Sequence, residues 1–328
     1  MSLEFLISKI QNNNFLLIGR AGVDIYPDPP GTKTENAINY VTHLGGSSAN
    51  MGVQLTKYGG ICSLLTKVSN DALGKFVLNQ LDEYGVNRNL VKFEDNESRI
   101  SFAIVESTLE DHQSIIYRHK AADLFLNHAD IEHANIENYN CILITGTTLA
   151  AEPSRSSVLY ALEIAKKNNI PVIMDIDYRP YTWESPSKAK EIYNIAAINC
   201  SAVIGNDDEF AVLSGNYSKG LEYAKKLSSK SDLVIYKMGE KGSITYANNK
   251  EIIKGIFSVK PLKPTGAGDA FMGSFVGALL KNYDLEKSLE IGSAAAAIVV
   301  TKVGCAPAMP DLEEVIEFMK TNKIYEGE

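Results

Sequence analysis

The chain has 328 residues, 45% hydrophobic and 22% charged, enough to bury a sizeable core without disulfides or metal. Its formal charge of -8, with no long Lys/Arg run, excludes the clustered positive surface that nucleic acid or an anionic membrane needs. Four scattered cysteines, Cys62, Cys141, Cys200 and Cys305, lack CxxC spacing, which fits reduced, packed thiols of a cytosolic chain rather than a disulfide frame or zinc site.

Residues 1–14 carry Glu4, Lys9 and a polar Gln-Asn run, and do not read as a signal peptide. From there, short apolar strands alternate with longer amphipathic stretches. The pattern predicts strands at 15–18, 63–66, 141–145, 171–174, 202–204 and 233–236. It predicts helices at 48–58, 71–84, 154–168, 187–198, 219–228, 267–282, 285–303 and 311–322. Such alternation implies an α/β fold, a mostly parallel central sheet with helices on both faces.

Two stretches, 23–44 and 98–120, break the rhythm. Ile100 to Val105 and Ser114 to Arg118 alternate as β-strands, and the two stretches are expected to form a small antiparallel sheet. The expected organisation is a main domain of 1–22, 45–97 and 121–328, with this sheet as a discontinuous lid that excludes water on closing. The longest apolar run near the C-terminus, 294–300, is too short to span a bilayer, so a soluble, cytoplasmic chain is expected.

Lys263-Pro264-Thr265-Gly266-Ala267-Gly268-Asp269 sets a glycine-rich turn before an apolar helix, where backbone N–H groups and the positive helix end converge. The amides of Gly266, Ala267 and Gly268 suit the charge of a transferring phosphate, and Asp269 suits proton acceptance from a hydroxyl. A glycine turn with an early Asp also caps many helices that bind nothing, and the run alone supports both readings equally. It is neither a Walker A sequence nor GxGxxG, which removes support from P-loop and dinucleotide readings, a dehydrogenase included.

With Leu44-Gly45-Gly46-Ser47-Ser48-Ala49-Asn50, the chain from about residue 15 to 310 resembles the ribokinase-like (PfkB) carbohydrate kinases. The resemblance implies a ribokinase-like fold with a small β-sheet lid, and ATP with Mg2+ as nucleotide and metal. It assigns Gly45, Gly46 and Asn50 to substrate hydroxyls, together with Asp24, which matches an aspartate at the end of the family's first strand. In Asn206-Asp207-Asp208-Glu209 it implies Asn206 near the phosphates and Glu209 organising Mg2+ through water, a ligand set magnesium prefers. As a bare pattern, acids in a helix's first turn are commonplace.

Lys237 and Gly239, in Tyr236-Lys237-Met238-Gly239, resemble the family's nucleotide turn, although Gly242 alone also fits a β-hairpin. Thr265 and Gly304, the latter heading Gly304-Cys305-Ala306-Pro307-Ala308, resemble further nucleotide contacts, and that loop frames a monovalent cation in many members. Many members carry at the position of Lys263 an Asp that helps build the cation site, so the resemblance does not carry a potassium requirement to this chain. Five histidines, without HExxH or HxH spacing, argue against a histidine metal site. The lone Trp183 reads as packing, and no GxSxG elbow is present.

A guanidinium fork matches a carboxylate, so Arg20, Arg118 and Arg179 near the implied cleft point to an acidic sugar, with surface salt bridges as the alternative for any one. The runs from Gly19 to Pro27 and from Asp175 to Trp183, with Lys263, resemble members that phosphorylate the C6 hydroxyl of 5-dehydro-2-deoxygluconate, a keto sugar acid of inositol catabolism. Ile116-Tyr117-Arg118 also resembles kinases of 2-keto-3-deoxygluconate, and fructose or ribose comes third. A non-catalytic sugar or nucleotide sensor is the reading of another class, which Asp269 and Glu209 disfavour. Lid strands often pair in this family, which implies a homodimer through the lid.

Overall fold

Phe15–Ile18 and Cys141–Thr145 are apolar without alternation, so strands made from them must be covered on both faces, and each is buried along its whole length. Both lie in the first of two compact units of this computed structural model, which describes residues 2–95 and 97–325. The first unit comprises 2–18 and 124–256, the second 19–123 and 257–325.

Strand order in the first unit is Lys250–Lys254, Ser243–Ala247, Leu233–Lys237, Ala202–Asn206, Val172–Asp175, Cys141–Thr145 and Phe15–Ile18. The last five are parallel, and the first two close the edge as antiparallel neighbours. Parallel pairing requires crossovers, which Ser154–Lys167, Pro186–Ala197, Asp207–Ser214 and Gly220–Leu227 supply. Register sets Thr145 opposite Asp175 and Asn206 opposite Lys237, so these polar ends share the carboxyl edge where open α/β sheets bind ligands.

In the second unit, Cys62–Ser69 and Val91–Glu94 pair in parallel. A separate sheet runs Asn39–Gly45, Gly22–Asp28, Phe102–Val105 and Ser114–Tyr117. Helix Ala267–Leu280 buries nearly its whole circumference, as expected of a helix apolar all round, and packs against Ser47–Lys57 and Leu285–Val300.

Each predicted strand and helix is present within a few residues, and the small sheet is separate as expected. It is not purely antiparallel, however. Two antiparallel hairpins join through a parallel pair, Val23 to Ile25 beside Phe102 to Ile104. The long connection between these strands includes a helix and strand able to reverse the chain, so the two leading strands run the same way. Helices Leu3–Gln11, His128–His133 and Asp207–Ser214 were not among the predicted elements. Among the described residues no helix is long and apolar enough to cross a membrane.

Candidate active site

Asp24 lies inside strand Gly22–Asp28, not at the end of Phe15–Ile18 as the sequence led one to expect, because the chain leaves the first strand at residue 19 and begins another at 22. Its carboxyl is buried, and Oδ1 has no hydrogen-bond partner among the described residues. Burial raises its pKa, while the positive charges of Arg20 and Lys263 pull it down. Room for that carboxyl comes from Gly45 across the hairpin, where a Cβ would fall 2.1 Å from Oδ1. The next residue, Gly46, has φ +98 and passes over the Arg20 carbonyl, where a Cβ would fall 2.4 Å from the oxygen. Ala49 N–H donates to that same carbonyl at 3.3 Å, pinning the start of helix Ser47–Lys57.

The helix presents Asn50, whose Nδ2 donates to Asp269 Oδ2 at 2.8 Å, joining motifs 219 residues apart. Asn50 Oδ1 and Thr265 Oγ1 are buried polar atoms with no partner among the described residues. Gly266, at φ +87, is the N-cap of Ala267–Leu280 and offers no side-chain cap. The first intrahelical bond is Ala270 N–H to the Gly266 carbonyl at 3.0 Å, so the amides of Ala267, Gly268 and Asp269 come before the ladder begins. Asp269 thus sits in the first turn and is not the capping residue. Gly304, at φ +78, leads into the turn Ala306–Ala308.

The arginines differ in their surroundings. Arg118 and Asp123 form a buried ion pair, with Nε 2.9 Å from Oδ2. Arg179, 44% exposed, meets the buried Asp177 at 2.7 Å. Arg20 is buried and donates to the neutral Ser101 hydroxyl at 3.0 Å, with no ion pair among the described residues. Cys305 is packed, as expected, and its Sγ lies 3.5 Å from Tyr26 Oη in this same unit. Burial pushes its thiol up to about 11, against the pull of Lys263. Nothing in the spacing of Cys305 marked it; all four cysteines are buried and free.

In the first unit, Asn206 and Glu209 form a reciprocal capping box. Asn206 Oδ1 accepts from Glu209 N–H at 2.9 Å and Glu209 Oε2 from Asn206 N–H at 2.7 Å, while Oε1 accepts from Tyr178 N–H at 3.3 Å. Burial first, then the Asp175 carboxylate, push the Glu209 carboxyl up to about 7, against Lys237. Asp175, which the sequence offered only as part of a longer run, is buried and raised by the same burial. A cavity of about 630 Å³ is lined in part by Arg179, Lys190, Asn206, Glu209 and Tyr217. Lys237 ends its strand, and Gly239, at φ +56, opens a short turn into the antiparallel Ser243–Ala247, so this run does form a hairpin. Trp183 packs on Tyr193 with ring centroids 4.9 Å apart. Among the described residues, no three His, Cys, Asp or Glu side chains converge as a metal site.

Residues 12–312 match the pfkB family carbohydrate kinase. The chain is 36% identical to a 5-dehydro-2-deoxygluconokinase of Photobacterium profundum over 94% of its own length and 95% of the relative's. It is 35% identical to a 5-dehydro-2-deoxygluconokinase of Clostridium botulinum, covering 95% and 94%. Among solved structures, it resembles a fructokinase double mutant of Vibrio cholerae with fructose, ADP and potassium bound, at TM-score 0.83 and 25% identity over 94% and 98% of the two chains. The apo form of an E. coli protein described as a putative ribokinase II shares the fold at TM-score 0.84, with 21% identity over 94% and 99%.

Proposed function

The chain belongs to the pfkB family of carbohydrate kinases, and from that premise we propose that it transfers the γ-phosphoryl group of ATP to the C6 hydroxyl of 5-dehydro-2-deoxygluconate. The observation that carries this reading is the Asn50 to Asp269 hydrogen bond of 2.8 Å, which ties the sugar-binding helix to the base. Asp24 and Asn50 take the hydroxyls of the acceptor, and their buried, unpartnered oxygens Oδ1 match such ligands. Asp269 accepts the C6 proton as the hydroxyl attacks in line, and the amides of Gly266, Ala267 and Gly268 hold the charge on the transferred group.

For the nucleotide, the family resemblance supports Asn206, Lys237 and Gly239 in the first unit, and Thr265 and Gly304 in the second. Magnesium, when bound with ATP, neutralises phosphate charge. Glu209 fits it through water, since its buried carboxyl and that of Asp175 repel and a divalent cation relieves the repulsion. The substrate carboxylate belongs to Arg20. Arg118 and Arg179 already form direct ion pairs with Asp123 and Asp177, whereas the buried Arg20 donates to the neutral Ser101 hydroxyl and acts on Asp24 only through its charge. The small sheet acts as the lid and as the surface on which two copies pair.

ATP consumption with 5-dehydro-2-deoxygluconate, 2-keto-3-deoxygluconate, fructose and ribose tests the substrate. The first should give the highest kcat/KM, at least about tenfold above the neutral sugars, and Arg20→Ala should raise its KM without affecting fructose. No turnover on either keto acid sinks the reading.

A further inference from the structure

Lys263 has no role in the transfer above, yet its side chain is 0% exposed, in a protein where lysines ordinarily snorkel to water. Its Nζ donates to the Thr265 carbonyl at 2.6 Å and lies 3.5 Å from the Val299 carbonyl. Thr265 supplies the last carbonyl before Gly266, where the anion cradle starts. Val299 lies in the last turn of Leu285–Val300, at the negative helix end, where its carbonyl also accepts from Lys302 N–H at 3.2 Å. The backbone joins the same two segments, since Leu262 N–H and Lys263 N–H donate to the Val300 carbonyl at 2.7 and 3.1 Å. Burial lowers the Lys263 pKa below the usual lysine value, against the opposing pull of Cys305, Asp24 and Asp269.

A compact positive charge held between two carbonyl oxygens is also what a dehydrated potassium ion makes of such a place. A monovalent cation does not fit here as well, because it would meet the Lys263 ammonium in a dry pocket at close range, where like charges repel strongly. We infer that Lys263 is a built-in cation: its ammonium fixes the Thr265 carbonyl and the helix end beneath the cradle, so the protein needs no potassium. Lys263 is a positioning residue, acting on the transferred phosphate through the backbone of Thr265 and Gly266.

The test uses the full chain in chloride salts of potassium, ammonium and tetramethylammonium at equal ionic strength. Thermal unfolding of the wild type should agree within about 1 °C in all three, since no ion binds the folded state preferentially. Lys263→Ala, which opens room for an ion, should melt several degrees lower in tetramethylammonium and recover at least half of that loss in potassium or ammonium. ATP turnover should follow: no salt preference in the wild type, roughly a 10²-fold loss in the variant, and at least tenfold recovery with the small cations.

The inference falls if potassium raises the melting temperature or rate of the wild type, or if Lys263→Ala loses neither. It falls equally if the variant's losses are the same in all three salts, the mark of a lysine that only packs. Should the variant not fold, the wild-type salt comparison decides alone. Only the turnover arm rests on the kinase reading above; absence of turnover in every salt, with the melting pattern as expected, would count against the proposed substrate and not against Lys263.

Discussion

In the proposed transfer the base must face its hydroxyl without searching for it, and Asp269 is held by the 2.8 Å bond from Asn50. Asparagine at this position keeps the shape and loses the basicity. Asp269→Asn should lower kcat by about 10²-fold or more, with KM for both substrates within roughly threefold of the wild type. Steady-state kinetics would remove Asp269 from the role if the rate stayed near that of the wild type. Glu209 offers a test through pH. Its folded pKa is raised from 4.5 to about 7, so the native state keeps a proton that the unfolded chain has already released. Stability therefore declines between those values and levels off above them. Urea unfolding at about pH 5 and pH 8 should show a larger loss for the wild type than for Glu209→Gln, and equal losses would contradict the burial argument.

Among elements, the hairpin of Gly22–Asp28 and Asn39–Gly45 would make the sugar end of the proposed site, since Gly45, paired with Gly22, lies diagonally against the Asp24 carboxyl. A methyl group there has to displace the carboxylate or pry the hairpin open. Gly45→Ala should raise KM for the sugar acid about tenfold or more and leave KM for ATP nearly unchanged, which initial rates with each substrate varied in turn would reveal. The helices were legible from their apolar spacing, which in several is reinforced by a side-chain cap: Asp71, Asp284 and Asp311 each accept a first-turn amide. Leu3–Gln11 carries its apolar spacing openly in Leu3, Leu6 and Ile10, but flanking polar residues dilute it. His128–His133 is too short for a period and is visible only through the Asn127 and Asp130 capping box. The parallel join in the small sheet left no local trace, since it depends on where the intervening chain returns.

For the whole molecule, the ordered motifs name the residues of the candidate site but not which of them touch. Asp123 and Asp177 are plain in the sequence as charges, and nothing there says that they face Arg118 and Arg179. The burial of Lys263 is still less visible, because lysine in a polar run reads as solvated. Assembly is a property of the same scale. Asn39–Gly45 and Ser114–Tyr117 are the outer strands of their sheet, and outer strands are templates for pairing with another chain. Tyr40 and Tyr117 on these strands are exposed, and Ile38 beside the first is 91% exposed, an apolar display that a second copy would cover. Light scattering at micromolar concentration should therefore give twice the mass of one chain, and Tyr40→Asp with Tyr117→Asp should halve it, with some loss in melting temperature because Tyr117 stacks on Phe102 at 4.6 Å and Tyr40 donates to the Thr34 carbonyl at 3.3 Å. A wild type that runs as a single chain, or a charged variant that stays paired, would move the contact elsewhere or abolish it.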